Sequence, residues 1–525
     1  MAGKFGDGIG RRQLLLTGSA GVITVATGIA RPAISRAGER PILSHGVQSG
    51  DADVSSGTVW TRADRPSRVI FEIATTDSFK TIHRTVGLDA LPETDFAVKA
   101  LIRDLPAGQD IFFRAKANEL TTGVESEPLV GRFRTAPAGK RDISFVWSGD
   151  TAGQGWGIDE SRGGMRIYDT MLKLRPDFFI HSGDTIYADN AVPSEQKLPD
   201  GSMWKNIVTE EVSKVAETLA EYRGRYKYNL MDRNLRAFNA EVPMMAQWDD
   251  HEVTNNWSSS KQLADDKRYS VKSIGLLAAR GMRAFHEYMP MSASPEELGR
   301  VYRKVSYGPS LDIFFLDMRT YRAANGDNRQ SEEGPETAFL GEEQLTWLKR
   351  ELVNSRATWK VIAADMPLGL VVFDNGALKK GSEAMAQGDG PALGRELEIA
   401  ALLRFIKHAR IRNTVWLTAD VHYTAAHYYD PNKAQFQDFD PFWEFVSGPL
   451  HAGSFGPNDL DNTFGPQLRY IKAPSAEQGP NTPPTAGLQF FGHVAIDGQS
   501  EAMKVTLKDV AGADLWSTVL EPARG

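Results

Sequence analysis

Acidic residues stand at the ends of short apolar runs throughout the latter part of the chain. Residues 178–180 are apolar, the chain turns at Gly183, Asp184 follows at once, and Tyr187 comes three residues later. A carboxylate at the tip of a buried strand is costly unless a metal ion, an Arg or Lys, or a helix N-terminus meets it. Asp184 and Tyr187 are both oxygen donors and together suit a hard cation such as trivalent iron. The pattern recurs: residues 143–147 lead to Asp150, 243–248 to Asp250-His251, 311–316 to Asp317, 359–364 to Asp365, and 414–418 to Asp420 and His422. One strand-end Asp is usually a cap. Carboxylates arriving repeatedly at one place repel each other in a poor dielectric, and one or two cations relieve that. His251 and His422 are the site histidines expected from this pattern. His181 is expected to support the site from within its strand, and His427 and His451 to stand behind it. Arg319, just after Asp317, has a fork that matches two phosphate oxygens and equally suits a salt bridge to Asp317.

Such residues need a scaffold that brings strand ends together. From residue 141 onward, strands alternate with helical stretches at 165–174, 210–238, 271–286, 341–354 and 394–408, which predicts an α/β layered domain over 141–525. In open α/β sheets, ligands gather outside the carboxyl ends of the strands. Residues 382–391 are Gly-rich and are expected to form a mobile surface loop. Two or three antiparallel strands are expected over 489–520. Residues 40–137 read differently. Short alternating runs at 42–47, 57–62, 69–74, 97–101, 110–116 and 125–134, separated by turn residues, predict an all-β sandwich of immunoglobulin or fibronectin type III kind. Residues 136–140 are the expected linker, and His45 and His83 are expected to be surface or structural.

The 525 residues are enough for two or three domains, with an ordinary 41% hydrophobic and 24% charged content. A net charge of -7 offers no basic surface to nucleic acid. The absence of cysteine excludes disulfides, thiolate ligands and a cysteine nucleophile. Arg11-Arg12 precede a weakly apolar, Gly-interrupted run and a small-residue tail, so residues 1–37 are expected to be a twin-arginine signal, with no permanent membrane span. The expected location is periplasmic or secreted, with the twin-arginine machinery as partner.

Gly183-Asp184-Thr185-Ile186-Tyr187, residues 248–256 (Trp-Asp-Asp-His-Glu-Val-Thr-Asn-Asn), residues 316–322 and residues 419–423 occur in an order that resembles PhoD-type alkaline phosphatases. These are metallophosphoesterases with a site similar to that of purple acid phosphatases. Residues 45–51 with 60–62 resemble the family's N-terminal domain. The resemblance spans nearly all of the chain after residue 37. It implies a four-layer αββα metallophosphoesterase domain and hydrolysis of phosphomonoesters or phosphodiesters by a metal-bound hydroxide. It also implies Fe3+ and Ca2+ as cofactors.

Carried over residue by residue, the resemblance makes Asp184 the carboxylate shared by two metals and Tyr187 the ferric ligand. Asp150 falls in the first metal motif. Asp250 stands where purple acid relatives have an Asn ligand, and His251 matches their site histidine. Asp420 and His422 stand where those relatives have a His-x-His pair. The first motif lacks the Cys that many members carry. Asp420 in place of His makes the second site richer in oxygen, which favours calcium, magnesium or manganese over zinc. His251 is then expected to neutralise phosphate oxygens or protonate the leaving group, and Arg319 to clamp phosphate. Two other readings compete. One is a phospholipase D-like phosphodiesterase acting on lipid head groups. The other is a non-catalytic, calcium-binding extracellular protein.

Overall fold

The apolar runs that precede the acidic residues become the central strands of two mixed sheets. They are seen in a computed structural model that describes residues 40–523, apart from 293–296 and 298. The twin-arginine motif lies outside the described residues.

The first sheet has nine strands, in the order Asp514–Leu520, Met503–Asp509, Phe490–Ile496, Ile143–Ser148, Phe178–Ser182, Met244–Gln247, Val47–Gly50, Gly57–Arg62 and Ala97–Ile102. Ile143–Ser148, Phe178–Ser182 and Met244–Gln247 run parallel. The second sheet has seven strands, with Leu311–Phe315, Trp359–Ala363, Thr414–Thr418 and Phe442–Val446 parallel at its centre. Parallel neighbours place their carboxyl ends side by side. That brings the residues after 148, 182, 247, 315, 363 and 418 to common edges.

These strands are buried along almost their whole length, as expected where both faces are covered. Side chains of a strand alternate between faces. Phe178 and Ile180 join Phe145, Ile313, Phe315, Val361, Leu417 and Phe445 in a core built from both sheets. Phe179, between them, joins a different core with Tyr168, Phe238 and Phe285 from the helices Arg166–Lys173, Arg233–Glu241 and Ile274–Tyr288. The second sheet's other face packs Phe314, Ile362 and Trp416 against Leu348 and Leu402 of Glu342–Asn354 and Glu396–His408.

The expected helical stretch at 210–238 is two helices, Leu219–Asn229 and Arg233–Glu241. The first begins with a reciprocal capping box between Thr218 and Glu221. Asp232 interrupts the run because its carboxylate caps the second helix, accepting from Asn234 N and Leu235 N at 2.9 Å each. It also accepts from Met165 N at 2.9 Å.

The region 40–137 forms strands, as its alternation requires, but three of the seven complete the large sheet. Val47–Gly50 pairs parallel with Met244–Gln247 through Gly50 and Met244, and antiparallel with Gly57–Arg62. A four-stranded sheet (Arg84–Ala90, Ser67–Ala74, Asp110–Glu119, Leu129–Arg134) lies over them, sharing a core of Val47, Val59, Val98, Phe71, Phe113 and Phe133. Asp51 continues the junction by holding Arg303 with two bonds, Nε at 2.9 Å and Nη2 at 2.7 Å.

Residues 382–391 depart in part from the sequence expectation of a surface loop. Residues 382–387 are buried. Arg395 donates to the carbonyls of Ser382 (2.9 Å) and Glu383 (3.0 Å), and the Glu383 side chain turns inward to Arg319 and Arg322. The glycines of the segment, Gly388 and Gly390, fall in its second half, residues 388–391, which reaches the surface as expected.

Further along, Glu396 is buried beside Asp461, and burial first, then the Asp461 charge, raises its pKa to about 9. A raised folded pKa gives stability that is fully present below the unfolded value and is lost as pH rises toward the folded one. Glu396→Gln should therefore gain thermal stability over wild type as pH goes from 5 to 9. A melting-temperature difference that stays flat over that range refutes this assignment.

Candidate metal centre

The strand ends turn sharply. Asp150, Asp184 and Asp420, each two residues past its strand, take left-handed conformations with φ of 69°, 51° and 61°, and His422 follows at 59°. This region costs an ordinary L residue about 1–2 kcal/mol, less for Asp, so the surroundings must hold it. Gly183, at φ 95°, permits the second turn, and a Cβ there would collide with Asp249. Glu252 ties two of the ends together. Its carboxylate accepts from Asp249 N at 2.7 Å, Asp184 N at 3.2 Å, Thr185 N at 2.6 Å and Thr185 Oγ1 at 2.5 Å.

Three groups of side chains bring ligand atoms within 4.8 Å of one another: Asp150–Asp184–His422, Asp184–Asp250–His251, and Asp249–Asp250–Asp420. Asp184 belongs to the first two. His422 gives Nδ1 to Gly453 O at 2.5 Å, which leaves Nε2 facing Tyr187 Oη at 2.9 Å and Asp150 Oδ1 at 3.7 Å. The Tyr187 ring lies 4.2 Å from the His251 ring. His251 Nδ1 meets Asp189 Oδ1 at 2.5 Å, and its backbone N–H donates to Asp184 Oδ1 at 3.2 Å.

The electrostatics call for positive charge. Asp150 is 1% exposed, and neither of its carboxylate oxygens has a hydrogen-bond partner among the described residues. Burial, then the neighbouring carboxylates, push Asp150 and Asp184 well above the ordinary carboxylate range. Burial with Asp250 and Asp365 nearby takes Asp420 to about 7, Arg319 opposing. Asp250 goes the other way, to about 2: burial opposes ionisation, but His251 and Arg319 favour it more. His251 is raised well above its usual value; burial pulls it down, and Asp189, Asp250 and Asp184 more than offset that. Burial keeps His422 low, at about 4, so its Nε2 is free of a proton in neutral solution.

The structure thus gathers Asp150, Asp184, Tyr187, Asp250, His251, Asp420 and His422 at one place, but Asp420 faces Arg319 Nη2 at 3.1 Å. Arg319 is not placed as a phosphate clamp. It is 0% exposed, and its guanidinium donates to Asp249 (2.5 Å), Asp365 (3.0 Å), Asp420 and Glu383. Nor does its guanidinium pair with Asp317. That residue caps its own turn, accepting from Arg319 N at 3.1 Å, Thr320 N at 2.9 Å and Thr320 Oγ1 at 2.6 Å. His181 supports the site as expected, joining Thr151 Oγ1 at 3.0 Å. His427 does not: its ring pairs with Glu444 at 3.0 Å. His451 supports by its backbone, its N–H donating to Asp150 O at 3.0 Å, while its ring points to Gly157 O at 2.9 Å.

Sequence reading missed Asp189, Asp249, Glu252 and Glu383 as site residues. Asp189 and Glu252 lie within five residues of Asp184 and one of His251, so proximity was a usable signal; Glu383 carries none. Asp189 also lines a cavity of about 660 Å³ with Gln154, Asn190, Lys214 and Arg268.

Buried carboxylates and imidazoles that converge on a shared Asp at the carboxyl edges of parallel strands define a metal-dependent hydrolase. The profile of the PhoD-like phosphatases matches residues 145–507, and that of their N-terminal domain matches residues 28–137. The chain belongs to the PhoD-like phosphatase family, and is a hydrolase of that phosphatase type. Alkaline phosphatase D of Bacillus subtilis (strain 168) is 29% identical over 440 residues, covering 80% of this chain and 71% of that one. Among solved structures, one of PhoD covers 91% of this chain and 89% of its own, at 22% identity and a TM-score of 0.66. A purple acid phosphatase from yellow lupin (Lupinus luteus) seeds covers 92% of this chain and 74% of its own, at 12% identity and a TM-score of 0.58. These two likenesses concern the fold. Among the described residues no helix is long and apolar enough to cross a membrane.

Proposed function

We propose that the chain is an exported phosphatase that hydrolyses phosphomonoesters or phosphodiesters with two cations sharing Asp184. The observation that carries this reading is the place of Asp184 in both the Asp150–His422 and the Asp250–His251 groups. In this reading the two sheets and their helices are the four αββα layers, built from residues 141–525 with three strands of residues 47–102 completing the first sheet. Residues 40–137 are a sandwich-type N-terminal domain, and residues 1–37 are a twin-arginine signal.

The residues present fit a pair of cations. Asp150 offers two buried oxygens without hydrogen-bond partners among the described residues, and each of the two groups combines two carboxylates with one imidazole. Asp150, Asp184, Tyr187 and His422 would hold a ferric ion; Asp184 and Asp250 would hold calcium, manganese or magnesium. Bound there, the cations supply Lewis acidity toward phosphate oxygens and lower the pKa of water. The protein's own residues do the rest. Asp189 holds the His251 ring through Nδ1, and the charged ring donates from Nε2 to the leaving oxygen.

Metal analysis of protein exported through its own N-terminus, with activity before and after chelation, tests the reading. Expected are iron plus a second cation, loss of activity on chelation, and a charge-transfer tint that disappears in Tyr187→Phe. Full activity in protein stripped of all metal sinks the proposal. A colourless, iron-free active enzyme removes only the ferric assignment. Rates on an aryl monoester, an aryl diester and phosphatidylcholine then sort the substrate class.

A further inference from the structure

Three acidic groups are close enough to hold an ion, yet they are not equivalent. The two that contain Asp184 also contain a histidine, and Arg319 reaches them only at Asp250, at 3.7 Å. The third, Asp249–Asp250–Asp420, surrounds a guanidinium. Arg319 Nε is 2.5 Å from Asp249 and 3.0 Å from Asp365; Nη2 is 3.1 Å from Asp420 and 3.7 Å from Asp250. The side chains of Arg319, Asp249 and Asp365 are each 0% exposed. We infer that Arg319 is the built-in cation of this third group, so that metal ions are confined to the two groups around Asp184.

Burial makes the assignment specific. A dry carboxylate needs a counter-charge at hydrogen-bond distance, because removing one partner of a buried ion pair leaves the other uncompensated. A planar guanidinium offers five donors in a fixed fork, so one side chain can meet several carboxylates at once, while an ammonium keeps the charge with three donors. Nor is Arg319 free to swing away. Nη1 is held by Glu383, which also takes Arg322 Nη1 at 3.1 Å, and Arg322 Nη2 donates to Asn325 Oδ1 at 2.8 Å. Arg395 fixes the Glu383 backbone from the other side. Glu383 is thus a positioning residue. It keeps the guanidinium of Arg319 among the Asp residues, and Arg319 in turn fixes Asp420 and Asp249 relative to Asp250, which the second cation is proposed to use.

The inference rests on the two-cation reading above, and the test separates them. Manganese is titrated into metal-stripped full-length protein, with bound equivalents counted by elemental analysis and folding followed by thermal denaturation. Wild type and Arg319→Lys are expected to bind the same number of equivalents. Arg319→Gln is expected to take up one more, or to fold only when manganese is added. Glu383→Gln is expected to bind the second equivalent at least several-fold more weakly while keeping its melting temperature in saturating manganese. If wild type binds no manganese at all, the two-cation reading itself fails. If wild type binds and Arg319→Gln folds with an unchanged count, or stays unfolded at saturating manganese, Arg319 is not acting as a replaceable cation. An extra equivalent in Arg319→Lys also overturns the inference, since the charge is retained.

Discussion

Asp184→Asn should reduce turnover by about 10³-fold or more and lower the bound metal by at least one equivalent, while the protein remains folded. The size follows from the role. Cations contribute several kcal/mol of charge stabilisation to phosphoryl transfer, and each 1.36 kcal/mol is a decade in rate. Asp184 is common to both histidine-containing groups, so its loss weakens both. The fold should survive because Asn keeps the oxygen that accepts from His251 N at 3.2 Å and removes a buried charge. The backbone N–H of residue 184 still donates to Glu252. Steady-state kinetics, elemental analysis and circular dichroism on the same preparation check it. Wild-type turnover with metal still bound would remove Asp184 from the centre of the site.

The second large effect is expected at Asp189, which lies outside the acidic strand ends. Asp189→Asn should lower kcat by roughly 10²-fold, the scale seen when a group orienting a site histidine is lost, with metal content unchanged. Its Oδ1 holds His251 Nδ1 at 2.5 Å, and its Oδ2 accepts from Asn255 N at 3.2 Å. Asn can keep one acceptor but not the charge that favours the protonated ring. If that ring protonates the leaving oxygen, the loss depends on the leaving group. An alkyl phosphate ester should suffer the full loss, and a nitrophenyl ester, which leaves without a proton, much less. Equal losses on both, or loss of metal, would make Asp189 structural rather than a positioning residue for proton transfer.

The strand ends were legible because buried parallel strands are short, apolar and terminated by a residue that stands out from them. Residues 143–148, 178–182, 244–247, 311–315, 359–363 and 414–418 are strands, and the acidic residues past them converge in space. What each carboxylate does there was not legible. Asp317 and Asp184 look alike in sequence, yet Asp317 caps its own turn through Thr320, three residues on, while tertiary packing brings His251 to Asp184. Arg319 read as a phosphate ligand because charge balance within the site was unknown; the carboxylates that claim it come from four other segments. The partial merging of residues 40–137 with the large sheet was hidden too. Pairing between Gly50 and Met244 leaves no mark in either local sequence.

The nine-stranded sheet places Phe490–Ile496 directly against Ile143–Ser148. Ser148 Oγ donates to Phe490 O at 2.8 Å across a separation of 342 positions. The strand that presents Asp150, paired on one side with Phe178–Ser182, therefore acquires its second neighbour only after nearly all of the chain exists. Contacts this far apart in sequence slow folding, since loop closure must precede their reward. A nascent chain emerging N-terminus first cannot assemble this centre as it is made, and a C-terminal truncation that removes Phe490–Ile496 would strip the edge of the very strand on which Asp150 depends. Completion of the polypeptide therefore precedes assembly of the metal centre.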